Sequence, residues 1–487
     1  MLVETLNIRG IQEAYRKKDC SPVEITRAYL NRIEEIDNMS KAYITVRDRE
    51  ALKEAKKLNL YPAGYDNLMG LAGIPIAIKD NICTRGTRTT AGSKFLEDFI
   101  PSYDASLVKR IREAGGIILG KSNMDEFAGG FSGDRSPFAP SLNPWTKEPA
   151  DGGAVAVASG LAPLAIGTDT GGSVRLAATY CGVVGLKASY ALVSRYGVIG
   201  LSSSLDHVGI YAKTVKDSGL ILQIIGGRDK RDPTSYGLEV TRDYLSKMAE
   251  KIRGIKMGLA RELFADNVDP QILQKVNRAI KILEGRGAII EEFSLPILSD
   301  SLWIYSIISS AEASSNLSRF DGIRYGHRSE DYEDIDQLIS KSRTEGLGWG
   351  IKGRIILGSY VLSADNYDSY YQRALDMRRQ MQAQFDQIFK KYDFILGPSS
   401  PSLSPDLERD NLLQIYREKS HTAWTNLIGG PAISIPCGLS KEKLPIGLQL
   451  VGSHFSEAKL LGLAHHLEEE LQVDTKIPEL KGDNNGF

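Results

Sequence analysis

Short apolar runs, separated by stretches of helical character, constrain the fold of this chain more than any other feature of its sequence. They fall at residues 74–78, 117–119, 255–259, 394–396, 432–435 and 447–451. Runs this short, bounded by Gly, Pro and polar residues, are typical of buried strands. Strands that alternate with helices form sheets covered by helices on both faces. The sequence therefore predicts an α/β fold.

The length of the chain allows one unusually large domain. It has 487 residues, 42% of them hydrophobic, which is enough for an extensive core. We predict a single domain over residues 1–475, in which residues 1–65 form N-terminal helices and residues 299–392 form a helical lid or cap. Residues 476–487 are charged and rich in Gly and Asn, so we expect a frayed tail.

The charge balance limits the partners that the chain can bind. With 60 Lys and Arg against 61 Asp and Glu, there is no overall basic field to neutralise phosphates. We therefore expect no direct binding of nucleic acid. The apolar run at 153–166 is too short for a membrane helix, and residues 1–10 lack the apolar core of a secretory signal. We expect no membrane association and a cytoplasmic location.

The cysteines indicate neither disulfides nor a metal site. The chain has four of them, with no CxxC pair and no histidine cluster nearby. Buried free thiols are the simplest interpretation. No metal and no cofactor are predicted.

The most distinctive segment is Gly-Thr-Asp-Thr-Gly-Gly-Ser-Val-Arg at residues 167–175. Glycines beside a serine allow the backbone to approach a ligand closely and to direct several N–H groups towards one point. An oxyanion hole requires that geometry, and Ser173 would be the nucleophile within it. The alternative is a tight Gly-Gly turn that has no catalytic role.

A nucleophilic serine requires a base, and Lys79 is the best candidate. His207 is expected in a polar loop and His465 on an exposed helix, and neither belongs to a catalytic motif. No G-x-S-x-G elbow is present, which argues against an α/β-hydrolase. Lys79 ends the strand predicted at 74–78, where burial would favour the neutral amine that accepts a proton. The alternative is a solvated lysine at the end of a strand.

Several segments in series resemble the amidase-signature family. They are residues 73–81 around Lys79, 121–128, 167–175 around Ser173, 181–187, 194–197, 203–206 and 312–322. The resemblance implies a large mixed sheet and a Ser–Ser–Lys triad. The triad's lysine corresponds to Lys79 and its nucleophile to Ser173. The N–H groups just before the nucleophile, at Thr170, Gly171 and Gly172, would form the oxyanion hole.

The amino-acid sequences of these segments most resemble those of the A-type branch of the tRNA-dependent amidotransferases. In that branch the A-type protein works with a B-type protein, which holds tRNA and ATP, and with a small C-type protein. The resemblance therefore implies B- and C-type subunits as partners. It also agrees with the even charge balance, because another subunit would hold the tRNA.

The segment that should carry the bridging serine departs from the family. In the family, a Gly- and Ser-rich loop follows an Asn-Pro-Trp motif, and its first serine links the lysine to the nucleophile. Here residues 146–154, Thr-Lys-Glu-Pro-Ala-Asp-Gly-Gly-Ala, follow that motif and contain no serine. Lys79 must then reach Ser173 directly, act through water, or be replaced by another group such as Asp151.

The substrate pocket is also predicted to differ from the family. In the A-type proteins an arginine and an aspartate hold the carboxylate and the amine of glutamine. Our alignment places Gly353 and Lys419 at those positions, and a lysine there would repel an ammonium group. The candidate substrate-binding residues of this chain are Asp169, Arg175 and Phe131.

Three functional hypotheses follow from these observations. The first is an amidase-type hydrolase or amidotransferase component that attacks a carboxamide through Ser173, with glutamine hydrolysis weakened by the missing serine. The second is a catalytically inactive pseudo-amidase that serves as a scaffold or regulatory partner. The third is a protein that acts on, or binds, an amide other than glutamine.

Overall fold

The computed structural model describes residues 3–59, 70–130, 136–236, 243–247, 252–265, 267–404 and 419–474. The predicted frayed tail at 476–487 and the candidate residue Phe131 lie outside these ranges. The predicted lid at 299–392 lies within them and consists mainly of helices. The predicted N-terminal region contains helices together with one strand.

The described residues form one mixed sheet, which confirms the predicted α/β fold. The sheet has 11 strands. In chain order they are β1 Tyr43–Val46, β2 Pro75–Lys79, β3 Ile117–Ser122, β4 Leu164–Asp169, β5 Val184–Lys187, β6 His207–Ala212, β7 Lys256–Ala260, β8 Ile289–Phe293, β9 Phe394–Pro398, β10 Ala432–Leu439 and β11 Pro445–Gly452.

The strands lie in the order β1-β3-β2-β4-β6-β5-β10-β11-β9-β7-β8. Strand β2 is parallel to β3 and β4, and β7 is parallel to β8 and β9. The other described pairs are antiparallel. The parallel pair β2 and β4 brings its carboxyl ends to the same edge, where α/β sheets commonly bind ligands.

Helices cover both faces of this sheet. They are α1 Ile8–Lys17, α2 Pro22–Ser40, α3 Asp48–Asn59, α4 Ser106–Glu113, α5 Gly152–Ala158, α6 Ser173–Cys181, α7 Val215–Ile225, α8 Tyr244–Lys247, α9 Pro270–Gly285, α10 Ser301–Asn316, α11 Ile335–Gly346, α12 Trp349–Val361, α13 Arg373–Lys391, α14 Ala423–Ile428 and α15 Glu457–Leu471. None of the helices in the described ranges combines the length and apolar character needed to span a bilayer.

Helix α6 lies unusually close to the sheet, and this fixes the position of its first turn. A Cβ atom added at Gly209 on β6 would be 2.5 Å from Val174, and one added at Gly185 on β5 would be 2.5 Å from Ala178. Glycine is therefore required at both strand positions, because any side chain would displace the helix. The close contact holds Ser173, the first residue of α6, against the edge where β4 ends.

Candidate active site

Two parallel strands bring the predicted nucleophile and the predicted base together. Lys79 is the last residue of β2, and Ser173 begins α6 a short turn after β4 ends. Strand β2 pairs directly with β4, with Ile78 opposite Ile166. Since parallel strands end at a common edge, Lys79 is held beside the residues that lead into Ser173.

A single backbone oxygen joins the two side chains. The Ser173 hydroxyl donates a hydrogen bond to the carbonyl oxygen of Thr168 at 2.7 Å. The Lys79 amine donates to the same oxygen at 3.4 Å. The hydroxyl and the amine therefore share one small region on the same side of the sheet. Lys79 is buried, whereas Ser173 remains partly accessible to a substrate.

Asp151 occupies the gap that the short loop leaves beside Lys79. Its Oδ2 atom lies 2.5 Å from the Lys79 amine, and both side chains are buried. Its Oδ1 atom accepts a hydrogen bond from the Gly153 N–H at 3.0 Å, so Asp151 also caps the N-terminus of α5. The lysine predicted as an isolated base thus has an acidic partner.

The turn before Ser173 depends on a glycine in a left-handed conformation. Gly172 has φ = 117°, which L-residues with a side chain rarely adopt. A Cβ atom there would also be 1.9 Å from the Thr422 hydroxyl oxygen. That hydroxyl donates to the carbonyl oxygen of Gly171 at 2.9 Å. The turn is therefore clamped between β4 and the segment that precedes α14.

A buried ion pair supports this turn from behind. Asp169 accepts hydrogen bonds from the N–H groups of Gly172 and Val174, and from the Arg175 guanidinium at 2.9 and 3.1 Å. Both charged side chains are fully buried. Burial alone would raise the pKa of Asp169, but Arg175 outweighs it and the pKa lies well below its ordinary value. The predicted contact of these two residues with substrate stays a prediction.

The amides predicted to form an oxyanion hole are not equivalent. The Gly172 N–H is occupied by Asp169. Within the described part of the chain, no acceptor is bonded to the N–H groups of Thr170 and Gly171. The Thr170 hydroxyl donates to Asp206 at 2.7 Å, which anchors the loop on its other side. The two N–H groups without acceptors are those best suited to a developing oxyanion.

Lys419 lies in the same pocket, next to a buried arginine that the sequence alignment did not identify. The Lys419 amine donates to the carbonyl oxygen of Gly130 at 3.3 Å. Burial, followed by the charges of Arg354 and Lys79, holds the pKa of Lys419 well below its ordinary value. The Arg354 Nε donates to the carbonyl oxygen of Gly129 at 2.6 Å. The neighbouring position, Gly353, faces open space, so Arg354 supplies the cation to this region.

The environments predicted from the sequence for two histidines are wrong. His207 lies in the buried strand β6 and not in a polar loop, and burial followed by Lys187 lowers its pKa well below the ordinary value. His465 is buried on α15 and not exposed. Alternating small and apolar residues after position 207 were the sequence signal for the strand.

Tyr211 is a site residue that the sequence analysis missed. It lies on β6, opposite Ala165 of β4, and it is fully buried. Its hydroxyl donates to the carbonyl oxygen of Ser173 at 3.4 Å. A tyrosine flanked by Ile210 and Ala212 resembles an ordinary core residue, and no motif marks it. Its role becomes visible only when β6 is placed beside β4.

Comparison with known proteins agrees with this fold. The Amidase family matches residues 24–461, most of the chain. The chain therefore belongs to the amidase family.

Three individual proteins are similar to this chain over nearly its whole length, and each is the A subunit of a glutamyl-tRNA(Gln) amidotransferase. The protein from Alkaliphilus metalliredigens is 47% identical over 486 residues, covering 98% of this chain and 99% of the relative. The protein from Halothermothrix orenii is 45% identical over 481 residues, covering 98% and 99%. The crystal structure of the Thermotoga maritima protein has a TM-score of 0.80 at 34% identity, covering 96% of this chain and 95% of that one.

Proposed function

We propose that this chain is the A-type component of a glutamyl-tRNA(Gln) amidotransferase and that it hydrolyses a carboxamide through Ser173. The observation that carries the proposal is the meeting of Ser173 and Lys79 at the carbonyl oxygen of Thr168. The relatives named above support the same assignment. We further propose that B- and C-type subunits are its partners and that it binds no tRNA itself.

The proposed reaction is an acyl transfer. The Ser173 oxygen attacks the amide carbon, the negative charge moves to the amide oxygen, and the N–H groups of Thr170 and Gly171 stabilise that oxygen. Breaking the C–N bond then releases ammonia and leaves an acyl group on Ser173. Water removes the acyl group in a second step.

The pocket argues against free glutamine as the preferred amide. Lys419 and Arg354 bring two basic side chains to the region next to Gly129 and Gly130, with Asp125 as an acidic neighbour. An amino acid substrate must place its α-ammonium near a negative charge, but Lys419 offers none and the charge of Asp125 already faces Lys419. We therefore propose an amide without an α-ammonium as the better substrate.

The experiment compares two amides that differ only in that group: glutamine, and glutaramate, which is glutamine without its α-amino group. Released ammonia is measured for the purified chain with and without B- and C-type subunits. We expect kcat/KM to be about tenfold or more higher for glutaramate, since a lost charge-assisted hydrogen bond is worth about 1.5–3 kcal/mol. Lys419→Asp should bring the kcat/KM values for glutaramate and glutamine closer together, and Ser173→Ala should abolish both reactions. Equal or faster hydrolysis of glutamine would refute the substrate preference.

A second candidate function has one specific observation in its favour. The Lys79 amine is engaged with Asp151 at 2.5 Å, and this contact competes with any role of Lys79 as the base for Ser173. A pseudo-amidase that acts as a scaffold or regulatory partner would retain the fold with this centre silent. In that case no carboxamide would yield ammonia, although the chain would still assemble with its partner subunits.

A further inference from the structure

The aromatic ring of Tyr211 lies close to the start of α5 and to strand β4, and its hydroxyl reaches Ser173. A Cβ atom added at Gly153 would lie 2.7 Å from the Tyr211 ring, and one added at Gly167 would lie 2.8 Å from it. Tyr211 therefore packs between the start of α5 and strand β4. Any side chain at position 153 would therefore require this ring to move.

The Tyr211 hydroxyl lies next to Ser173 in the candidate active site. It donates to the backbone oxygen of Ser173, and the Tyr211 ring and an Asp151 carboxylate oxygen both lie close to the same point beside Gly153. Burial, and then Asp151, raises the pKa of Tyr211 well above its ordinary value. The phenol therefore stays protonated, and it can donate a hydrogen bond to the carboxylate.

Asp151 is consequently held from three directions. Lys79 contacts one carboxylate oxygen at 2.5 Å, and the Gly153 N–H donates to the other at 3.0 Å. Tyr211 approaches from strand β6. The carboxylate is therefore fixed in place, and a carboxylate oxygen is able to accept a proton.

We infer that Asp151 replaces the family's bridging serine as the proton acceptor for Ser173, and that Lys79 and Tyr211 are positioning residues that orient its carboxylate. This inference rests on the proposed function. As the Ser173 oxygen bonds to the amide carbon, its proton moves to Asp151 and the amide π electrons move to oxygen. When the C–N bond breaks, Asp151 returns that proton to the departing nitrogen, which leaves as ammonia. In deacylation Asp151 takes a proton from the attacking water and returns it to Ser173.

The test measures how fast a fluorophosphonate probe phosphonylates Ser173, because the natural amide is not needed. Asp151→Asn retains the shape and the helix cap, since asparagine caps as well as aspartate, but it cannot accept the proton. We expect its second-order rate to fall by about 10²- to 10⁴-fold. Asp151→Glu should recover part of the rate, which a purely structural role would not predict.

Tyr211→Phe removes only the hydroxyl. It should slow labelling about tenfold, in keeping with one lost hydrogen bond. Because Tyr211 acts through Asp151, the same change in an Asp151→Asn background should have no further effect. An effect of equal size in both backgrounds would mean that the Tyr211 hydroxyl acts independently of Asp151, through its hydrogen bond to the backbone oxygen of Ser173. Thermal unfolding of each variant shows whether it is folded.

Asp269→Asn is the matched control. Asp269 caps α9 and accepts from the N–H of Gln271 at 2.7 Å, as Asp151 does from Gly153, but at a different part of the fold. It should label at the wild-type rate. If Asp151→Asn labels as fast as wild type or faster, Asp151 is not the acceptor, and Ser173 keeps its proposed role. If wild type itself is not labelled, the proposed function fails, and the inference fails with it.

Discussion

Replacing Arg175 with methionine is expected to lower the free energy of unfolding by about 3–5 kcal/mol, the usual cost of removing one partner from a buried ion pair. The guanidinium bonds Asp169, Gln449 and Asn426 inside the protein, with no exposed surface. Its loss leaves a buried carboxylate directly behind the Ser173 turn. Chemical denaturation at neutral pH measures the effect, and Ser173 labelling should be lost together with the stability.

The difference in unfolding free energy between wild type and Arg175→Met should also depend on pH. The pKa of Asp169 is depressed in the folded protein. Its contribution to stability is therefore complete above the unfolded value of about 3.9 and is lost as the pH falls towards the folded value. The gap between wild type and Arg175→Met should shrink below about pH 4. Arg9→Met, at an exposed pair with Glu13, should change little at any pH. A constant gap would contradict the assigned role of Asp169.

Replacing Lys79 with methionine is expected to slow Ser173 labelling by about a thousandfold or more, as loss of a triad member does in other serine hydrolases. The variant removes the ammonium that lies 2.5 Å from Asp151. The Asp151 carboxylate then loses the contact that orients it. Stability should also fall, so labelling rates are compared per folded molecule.

Lys213→Met is the control for this second prediction. Lys213 follows the end of β6, is half-buried and donates to the backbone oxygen of Glu4. Its replacement removes another lysine that contacts the protein interior, although one less buried than Lys79, without touching the site. Labelling at the wild-type rate is expected. An equal loss of labelling in both lysine variants would show that Lys79 matters only for folding.

Most of the sheet was predictable from local sequence, because buried strands leave short apolar runs. The runs at 74–78, 117–119 and 394–396 became β2, β3 and β9 with small shifts at their ends. Strand β4 was less evident, since its apolar residues merge with the glycine-rich turn that follows. Strand β6 was missed because His207 follows an acidic loop and looks solvated.

Only those residues of the candidate site that lie in recognisable sequence motifs could be predicted. Ser173 and Lys79 stand out in their own motifs, and the structure brings them together. Tyr211 has no such motif, because its position depends on β6 lying beside β4. Arg354 was missed for a similar reason. Which of two neighbouring helix positions faces the pocket is decided by the packing of α12, and alignment alone chose Gly353.

The most direct test of the central claim, that Ser173 is an activated nucleophile, is to identify by peptide mass mapping the residue that carries a fluorophosphonate adduct. Stoichiometric modification of Ser173 is expected, with none after Ser173→Ala. A folded, unmodified Ser173, or an adduct on another residue, would contradict it.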